Sequence, residues 1–361
     1  MSRDKLSMRQ IMVIVCGGLI SPATLLLPQM TAKRAGASGW WSPMLAMLAL
    51  LLMGWCVTVL FRDTKLGTGL AQIMTEVTGK WPARVLLACY LVWGMFLLGL
   101  FTRVASSRLS DAYQTNGTLT FCVLLLAMVL WMAIGKVSAF GRAGEIFYLA
   151  LAITFGAIVL FCLFKVRWDF AMPQNRMDFS KGLSAAFPVL GVASMGIYGG
   201  FLGGLVKRSR ENRQRGFGWL VVSCIAFTLL LLVVTGRVGS VLEARLNIPF
   251  ITLVEDIGVK GAFQRMEALV GAIWVLSDLI LLGMLALSCR SLTVEVIPAC
   301  GQIERWMAIP TVAVGAALAI FLPERIEENS FLWSIVLGGN LTLGIAVPIF
   351  VLFAAKLRRM R

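Results

Sequence analysis

The apolar residues of this chain come in runs of about 20, the length at which an α-helix rising 1.5 Å per residue crosses the hydrocarbon core of a bilayer. Ten runs can be traced, near residues 10–30, 40–61, 84–105, 118–135, 142–164, 184–206, 216–236, 265–288, 307–322 and 330–355. The polar segments between them are too short and too mixed to build a soluble core, which predicts an all-α polytopic membrane protein with one integral membrane domain over 1–361. Two of the runs are interrupted by glycine at matching places five spans apart: VIVCGGLISPATLLLP at Val13 to Pro28, and VLGVASMGIYGGFLGG at Val189 to Gly204. In lipid a released backbone group is costly unless protein or a water-filled cavity satisfies it, so paired interruptions point to helices opened to hold a ligand. Five spans per half force the halves, about 10–164 and 184–355, into opposite orientations, which is an inverted repeat by topology.

The interruptions also indicate what would be bound. Gly17 and Gly18 precede Ser21 and Pro22, and proline suits the first turn of a renewed helix. Unwinding there would aim free N–H groups near Ser21 at a carboxylate and the free carbonyls near Cys16 at an ammonium group. The sixth span offers Gly191, Gly196, Gly199, Gly200, Gly203 and Gly204 around Ser194 and Tyr198. The competing reading of both runs is close helix packing, which the 196/200/204 spacing would also serve. Asp278, in ALVGAIWVLSDLILLGMLAL, lies near the centre of the eighth span, where a carboxylate is costly; it is a coupling or gating candidate or a group hydrogen-bonded within the bundle. Arg103 reads as a snorkelling anchor near the outer end of the third span, and Arg142 and Glu145, three residues apart, as a salt bridge on one helix face.

Composition narrows the function classes. The 361 residues are 59% hydrophobic and carry a formal net charge of +15. The basic residues cap helix ends instead of forming a separate basic domain, which excludes nucleic acid as a partner and names the lipid bilayer instead. Their excess on the N-terminus, the even-to-odd loops and the tail KLRRMR predicts cytoplasmic termini. The first run lacks a small-residue cleavage site and reads as a retained helix. There is no histidine, and the 8 cysteines are spread singly along the chain, Cys16, Cys56, Cys89, Cys122, Cys162 and Cys224 within spans. The lack of histidine and of clustered cysteines argues against a structural zinc site and a histidine relay, so no enzyme, cofactor or metal is expected. Segment 62–83 contains an amphipathic stretch fit for an interfacial helix, loop 237–265 should carry short helices, and KRSRENRQR at Lys207 to Arg215 should sit against an anionic leaflet.

Several stretches, taken in order, resemble one family: SMRQIMVIVCGGLISPATLLLP, AGASGWWSPMLA, GKVSAFGRAGEIFYLALAI, FQRMEALVGAIWVLSDLILLGMLAL and AVPIFVLFAAKLRRMR. They are similar to the B subunits of spore germination receptors, a family within the amino acid, polyamine and organocation superfamily. The resemblance implies a leucine-transporter type of fold, with two five-helix inverted repeats and a solute site between broken helices 1 and 6. It further implies the permease-like subunit of a nutrient germinant receptor in the endospore inner membrane or cell membrane, with A and C subunits as partners. The ligand, an amino acid or related nutrient, would then meet Gly17, Gly18, Ser21, Ser194, Gly196 and Tyr198. Arg142, Glu145, Arg265, Glu267 and Trp274 match family positions for which structural or coupling roles are expected. The sixth span lacks the acid that relatives carry after an aromatic and glycine, which turns attention to Asp278, and QTNGT stands where a Thr-Pro pair is more typical. Two functions follow: a receptor subunit that senses the nutrient, or a proton- or cation-coupled amino acid transporter.

Overall fold

A computed structural model describes residues 6–62, 68–112, 115, 117–172, 179–206, 210–257, 266–323, 326 and 329–359. Its helices are α1 (Met8–Ala35), α2 (Ser42–Arg62), α3 (Leu70–Thr78), α4 (Lys80–Ala112), α5 (Thr118–Ile134), α6 (Val137–Leu163), α7 (Trp168–Ala171) and α8 (Phe179–Ala193). There follow α9 (Ile197–Phe201), α10 (Arg210–Val238), α11 (Ser240–Glu243), α12 (Pro249–Ile257), α13 (Met266–Val296), α14 (Ala308–Phe321), α15 (Ser330–Leu341) and α16 (Val347–Arg359). Among the described residues, 8 stretches qualify as spans by length and apolarity; one, Met8–Phe61, holds both α1 and α2, and the shorter α5 brings the total to ten. Large apolar side chains such as Leu48, Ile146, Ile153 and Phe321 face outward, as an integral membrane protein requires.

Local chemistry sets the helix ends. Ser7 and Gln10 form a reciprocal capping box that opens α1, and Lys33 and Arg34 in its last turn complement the helix dipole. The chain then reverses through a 3-10 turn, Gly36–Trp41, in which a Cβ on Gly39 would stand 2.9 Å from the Thr31 backbone; a side chain does not fit. The expected interfacial helix in segment 62–83 is α3, and α11 and α12 are the expected short helices of loop 237–265. Lys207–Ser209 of the basic loop, Arg265, and parts of segments 62–83, QTNGT and 237–265 lie outside the described residues.

The two halves show their relation in how they pack. α1 packs on α8, α2 on α10, α4 on α13 and α5 on α14, so four spans of one half each lie against the counterpart five spans along. That pairing is what a two-fold axis in the membrane plane produces. α13 is the central post: 89% of its apolar window is buried, against 22% for α6, and α1, α4, α5, α6 and α14 all pack against it. The end of the bundle bearing both termini is termed proximal below, and the opposite end distal.

The expected interruptions take different forms. The sixth span is broken: α8 passes through a 3-10 turn at Ser194–Gly196 into the short α9, and a second 3-10 turn follows at Gly203–Leu205. The first span corrects the expectation, because α1 keeps its helical path from Met8 to Ala35 through both Pro22 and Pro28. The tenth span has its own irregularity, a π-turn at Thr342–Ala346 between α15 and α16. Gly344 of that turn approaches the sixth-span break so closely that a Cβ would lie 2.6 Å from the Ser194 carbonyl oxygen.

At the distal end, outside the spans, α11 covers α1 and α10 and buries Glu243 completely. Neither carboxyl oxygen has a hydrogen-bond partner among the described residues. Burial pushes the carboxyl up to about 8, and the nearby Thr235 hydroxyl acts in the opposite direction. An ordinary glutamate ionises near 4.5, so between these values the folded protein keeps a proton that the unfolded chain gives up. Stability contributed by Glu243 is therefore lost as pH rises through that window. Glu243→Gln is expected to remove this slope, so that thermal unfolding in detergent shows the wild type falling behind the variant between about pH 5 and pH 8; parallel curves would refute it.

Candidate functional site

Ser277 of α13 explains why α1 stays helical. Its Oγ accepts from the Ser21 N–H at 2.8 Å and donates to the Gly17 carbonyl at 2.6 Å. Those two groups are the ones an α-helix pairs with each other, so a neighbour's hydroxyl is inserted into the ladder and both ends remain satisfied. One residue further on, Pro22 has no N–H to offer the Gly18 carbonyl. The close approach this needs is supplied by the glycines: a Cβ at Gly17 would lie 3.0 Å from Ile280 Cδ1, and one at Gly18 3.1 Å from Leu281 Cα.

Next to that insertion lies a buried ion pair. Arg108 Nη2 donates to both carboxylate oxygens of Asp278, at 2.8 and 3.0 Å, and to Ser21 Oγ at 2.9 Å. The guanidinium carbon lies 4.8 Å from the centre of the Trp274 ring, and Trp274 Nε1 donates to Thr24 Oγ1 at 3.0 Å. Ser21, Thr24, Arg108, Trp274, Ser277 and Asp278 are all buried. Three helices, α1, α4 and α13, thus meet at one charge-balanced polar node inside the bundle.

The sixth-span residues form a second cluster. Ser194 is buried in the 3-10 turn, its hydroxyl returning to the Leu190 carbonyl. Gly196 and Gly199 face α1, where added Cβ atoms would lie 2.9 and 2.5 Å from the two Val15 methyls. Tyr198 is committed to α4 and α13: its hydroxyl donates to the Tyr90 carbonyl at 2.9 Å, and its own carbonyl accepts from Ser288 at 2.8 Å. Ser288 follows Asp278 by ten residues along α13, so the two clusters are separated by about 15 Å of helix. Gly17, Ser21 and Asp278 are brought together; Ser194, Gly196 and Tyr198 are grouped apart from them, with α1 as the common wall.

Other predicted residues fall elsewhere. Arg103 is buried, its Nε donating to the Pro323 carbonyl at 3.4 Å. Glu145 pairs not with Arg142 but with Arg9 of α1 at 2.8 Å, tying α1 to α6 at the proximal end. A cavity of about 180 Å3 runs beside α1 between α6 and α10, lined by Cys16, Ile20, Thr24, Tyr148, Phe155 and Phe227 among others. Thr24 is its link to the polar node. A larger hollow of about 540 Å3, between α3, α4 and α16, is far from these residues and apolar. No cluster of metal-ligating side chains occurs among the described residues.

Arg108 and Ser277 were not singled out from the sequence. The signal for Arg108 was indirect: an intramembrane acid needs a cation, and α4 runs to Ala112, seven residues past the expected end of that span, which carries Arg108 inside the bundle.

Residues 5–326 match the model of a family described as spore germination protein. The chain belongs to that spore germination family. None of the curated proteins matches it. Among solved structures, the spore germination chain aligns with a substrate-bound, outward-open Na+-coupled sialic acid symporter, TM-score 0.68 and 13% identity over 94% of this chain and 79% of that one. It aligns likewise with MhsT in complex with L-phenylalanine, TM-score 0.70 and 13% identity over 97% and 89%. The fold of this family member is thereby the leucine-transporter type, and its relatives and structural neighbours are permeases and transporters, not enzymes.

Asp278→Ala in this family member leaves Arg108 as an uncompensated buried cation and is expected to destabilise the fold by about 3–5 kcal/mol. The neutral pair Arg108→Gln with Asp278→Asn should recover most of the loss. Melting temperatures of the purified proteins in one detergent check this; equal losses in both variants would contradict the coupling.

Proposed function

We propose that this chain is the permease-like subunit of a spore nutrient germinant receptor. It binds an amino acid or similar small nutrient at the middle of the bundle, between α1 and the broken sixth span, and signals germination together with A and C subunits. Its repeats span about 10–164 and 184–355, its termini are cytoplasmic, and its membrane is the inner membrane of the spore. What supports this reading most is a charge-balanced polar node held by α1, α4 and α13 in a spore germination family member of leucine-transporter fold.

The proposed ligand contacts are Gly17, Gly18, Ser21, Ser194, Gly196 and Tyr198. In this structure the Gly17 carbonyl and Ser21 N–H are held by Ser277, and Val15 fills the notch against Gly196 and Gly199. Moving α1 away from α9 and α13 would free both sets of groups at once, so binding is coupled to a change between two packings. The same arithmetic serves a transporter, which is the second reading. It is favoured by one observation, a titratable carboxyl, Asp278, in the core of a fold shared with symporters.

The deciding experiment is uptake and binding of a labelled amino acid panel with sealed proteoliposomes that contain only this chain, with and without a proton gradient. Binding without flux is the expected result and supports a sensor; gradient-driven accumulation would replace it with the transporter, and folded protein that binds nothing would remove both. Asp278→Asn is expected to change the pH dependence of binding, and an unchanged profile would leave Asp278 structural. Gly196→Ala is expected to weaken binding about tenfold by pressing on Val15, as read by titration on protein shown to be folded.

A further inference from the structure

Arg108 has hydrogen-bonding capacity that its neighbours do not use. A guanidinium carries five N–H donors arranged as two edges suited to a carboxylate, Nη1 with Nη2 and Nε with Nη2. Asp278 and Ser21 both bond the shared corner, Nη2. Nε and Nη1 are buried without a partner among the described residues, so each edge is half used. The Trp274 ring lies over the guanidinium and is itself held by Thr24, which fixes the fork in place. Such unspent charged donors at a buried position are complementary to a planar anion.

We propose that Arg108 is the anchor for the carboxylate of the nutrient and that Asp278 is its placeholder, taking up a proton when the nutrient's carboxylate claims the guanidinium. This rests on the nutrient-binding reading above and names the group by which the ligand is recognised. The balance is simple. The ligand's carboxylate and one proton from solvent enter, the Arg108–Asp278 pair becomes an Arg108–ligand pair, and Asp278 leaves it as a neutral carboxylic acid. No bond other than O–H is made; the carboxylate and the proton together leave the charge around Arg108 unchanged, while the ammonium group of an amino acid enters as one further positive charge. Arg108 on α4 is the charged group that acts on Asp278; α1 contributes the Ser21 hydroxyl, and α13 carries the neighbouring Ser277 hydroxyl. Two carboxylates competing for one cation cannot both stay ionised at low cost, which is why the proton must follow the ligand. Ser21 has a place in the exchange as well, because its hydroxyl shares Nη2 with Asp278 and its N–H belongs to the segment of α1 that Ser277 holds.

The test uses the purified full-length chain and the twenty L-amino acids, each beside its carboxamide, titrated by intrinsic fluorescence and by thermal shift. Acids that bind the wild type should lose about tenfold or more in affinity as carboxamides. Their affinity should rise toward about tenfold per pH unit on acidification, with one proton taken up per ligand in weakly buffered solution. The neutral variant Arg108→Gln with Asp278→Asn should bind acid and amide alike and take up no proton. Carboxamides that bind the wild type as well as the acids would overturn the anchor while leaving nutrient binding intact, and this comparison needs no variant to fold. A folded wild type that binds no member of the panel would overturn the nutrient reading and the anchor with it.

Discussion

A helix that loses a backbone hydrogen bond inside a bilayer must be given another partner by the protein, and the bundle is organised around meeting that demand. There are three irregular places, in the first, sixth and tenth spans, and each is served by α4 or α13. Ser277 stands between Gly17 and Ser21; Ser288 holds the Tyr198 carbonyl; the Tyr90 hydroxyl takes the Leu343 carbonyl in the π-turn. The two helices that supply these groups are counterparts in the two halves and pack directly on each other. A rigid pair of posts thus lets the neighbouring spans be imperfect helices without leaving polar groups stranded in hydrocarbon.

This arrangement also explains how much was legible in the sequence. The ten spans were readable because bilayer thickness sets their length and short loops leave little freedom in connection. The sixth-span break was readable because so many glycines around Ser194 exceed what one helix contact needs. The first span misled in degree: Gly17 and Gly18 do mark the place where α1 is opened, but the opening is confined to two adjacent hydrogen bonds, one bridged by Ser277 and one removed by Pro22. The group that bridges the first comes from a residue 256 positions away, and local sequence holds no record of it. Arg108 was hidden for a related reason. An arginine near the end of an apolar run looks the same whether it snorkels outward or turns in toward an acid. Asp278 announced that a cation was required, without saying which.

The polar node and the sixth-span cluster sit on either side of the same stretch of α1, and neither contacts the other directly across the described structure. α1 touches both, as do α4 and α13, which carry Arg108 and Tyr90, and Asp278 and Ser288. The grip of α1 on α13 is the Ser277 hydroxyl, the Trp274–Thr24 hydrogen bond and the close packing of two glycines, and its grip on α9 is Val15 against bare backbone. Such contacts are tight but contain few strong bonds, so two packings of α1 can differ by little free energy. That is the condition under which a small ligand can tip an equilibrium.

Tyr90 gives the bundle a property that neither cluster has by itself. Its main-chain carbonyl receives the Tyr198 hydroxyl from the sixth span, while its own hydroxyl reaches the π-turn of the tenth. One residue on a fixed post thus acts as a fulcrum between two segments that are already bent, with Gly344 seated against the Ser194 carbonyl as a second point of contact. A displacement at the sixth-span break would be passed through these contacts to the π-turn and so to α16, whose final turns run to the proximal end of the bundle. The message carried out of the membrane would then be the angle of a helix end, a quantity that another protein can read without any solute crossing the bilayer.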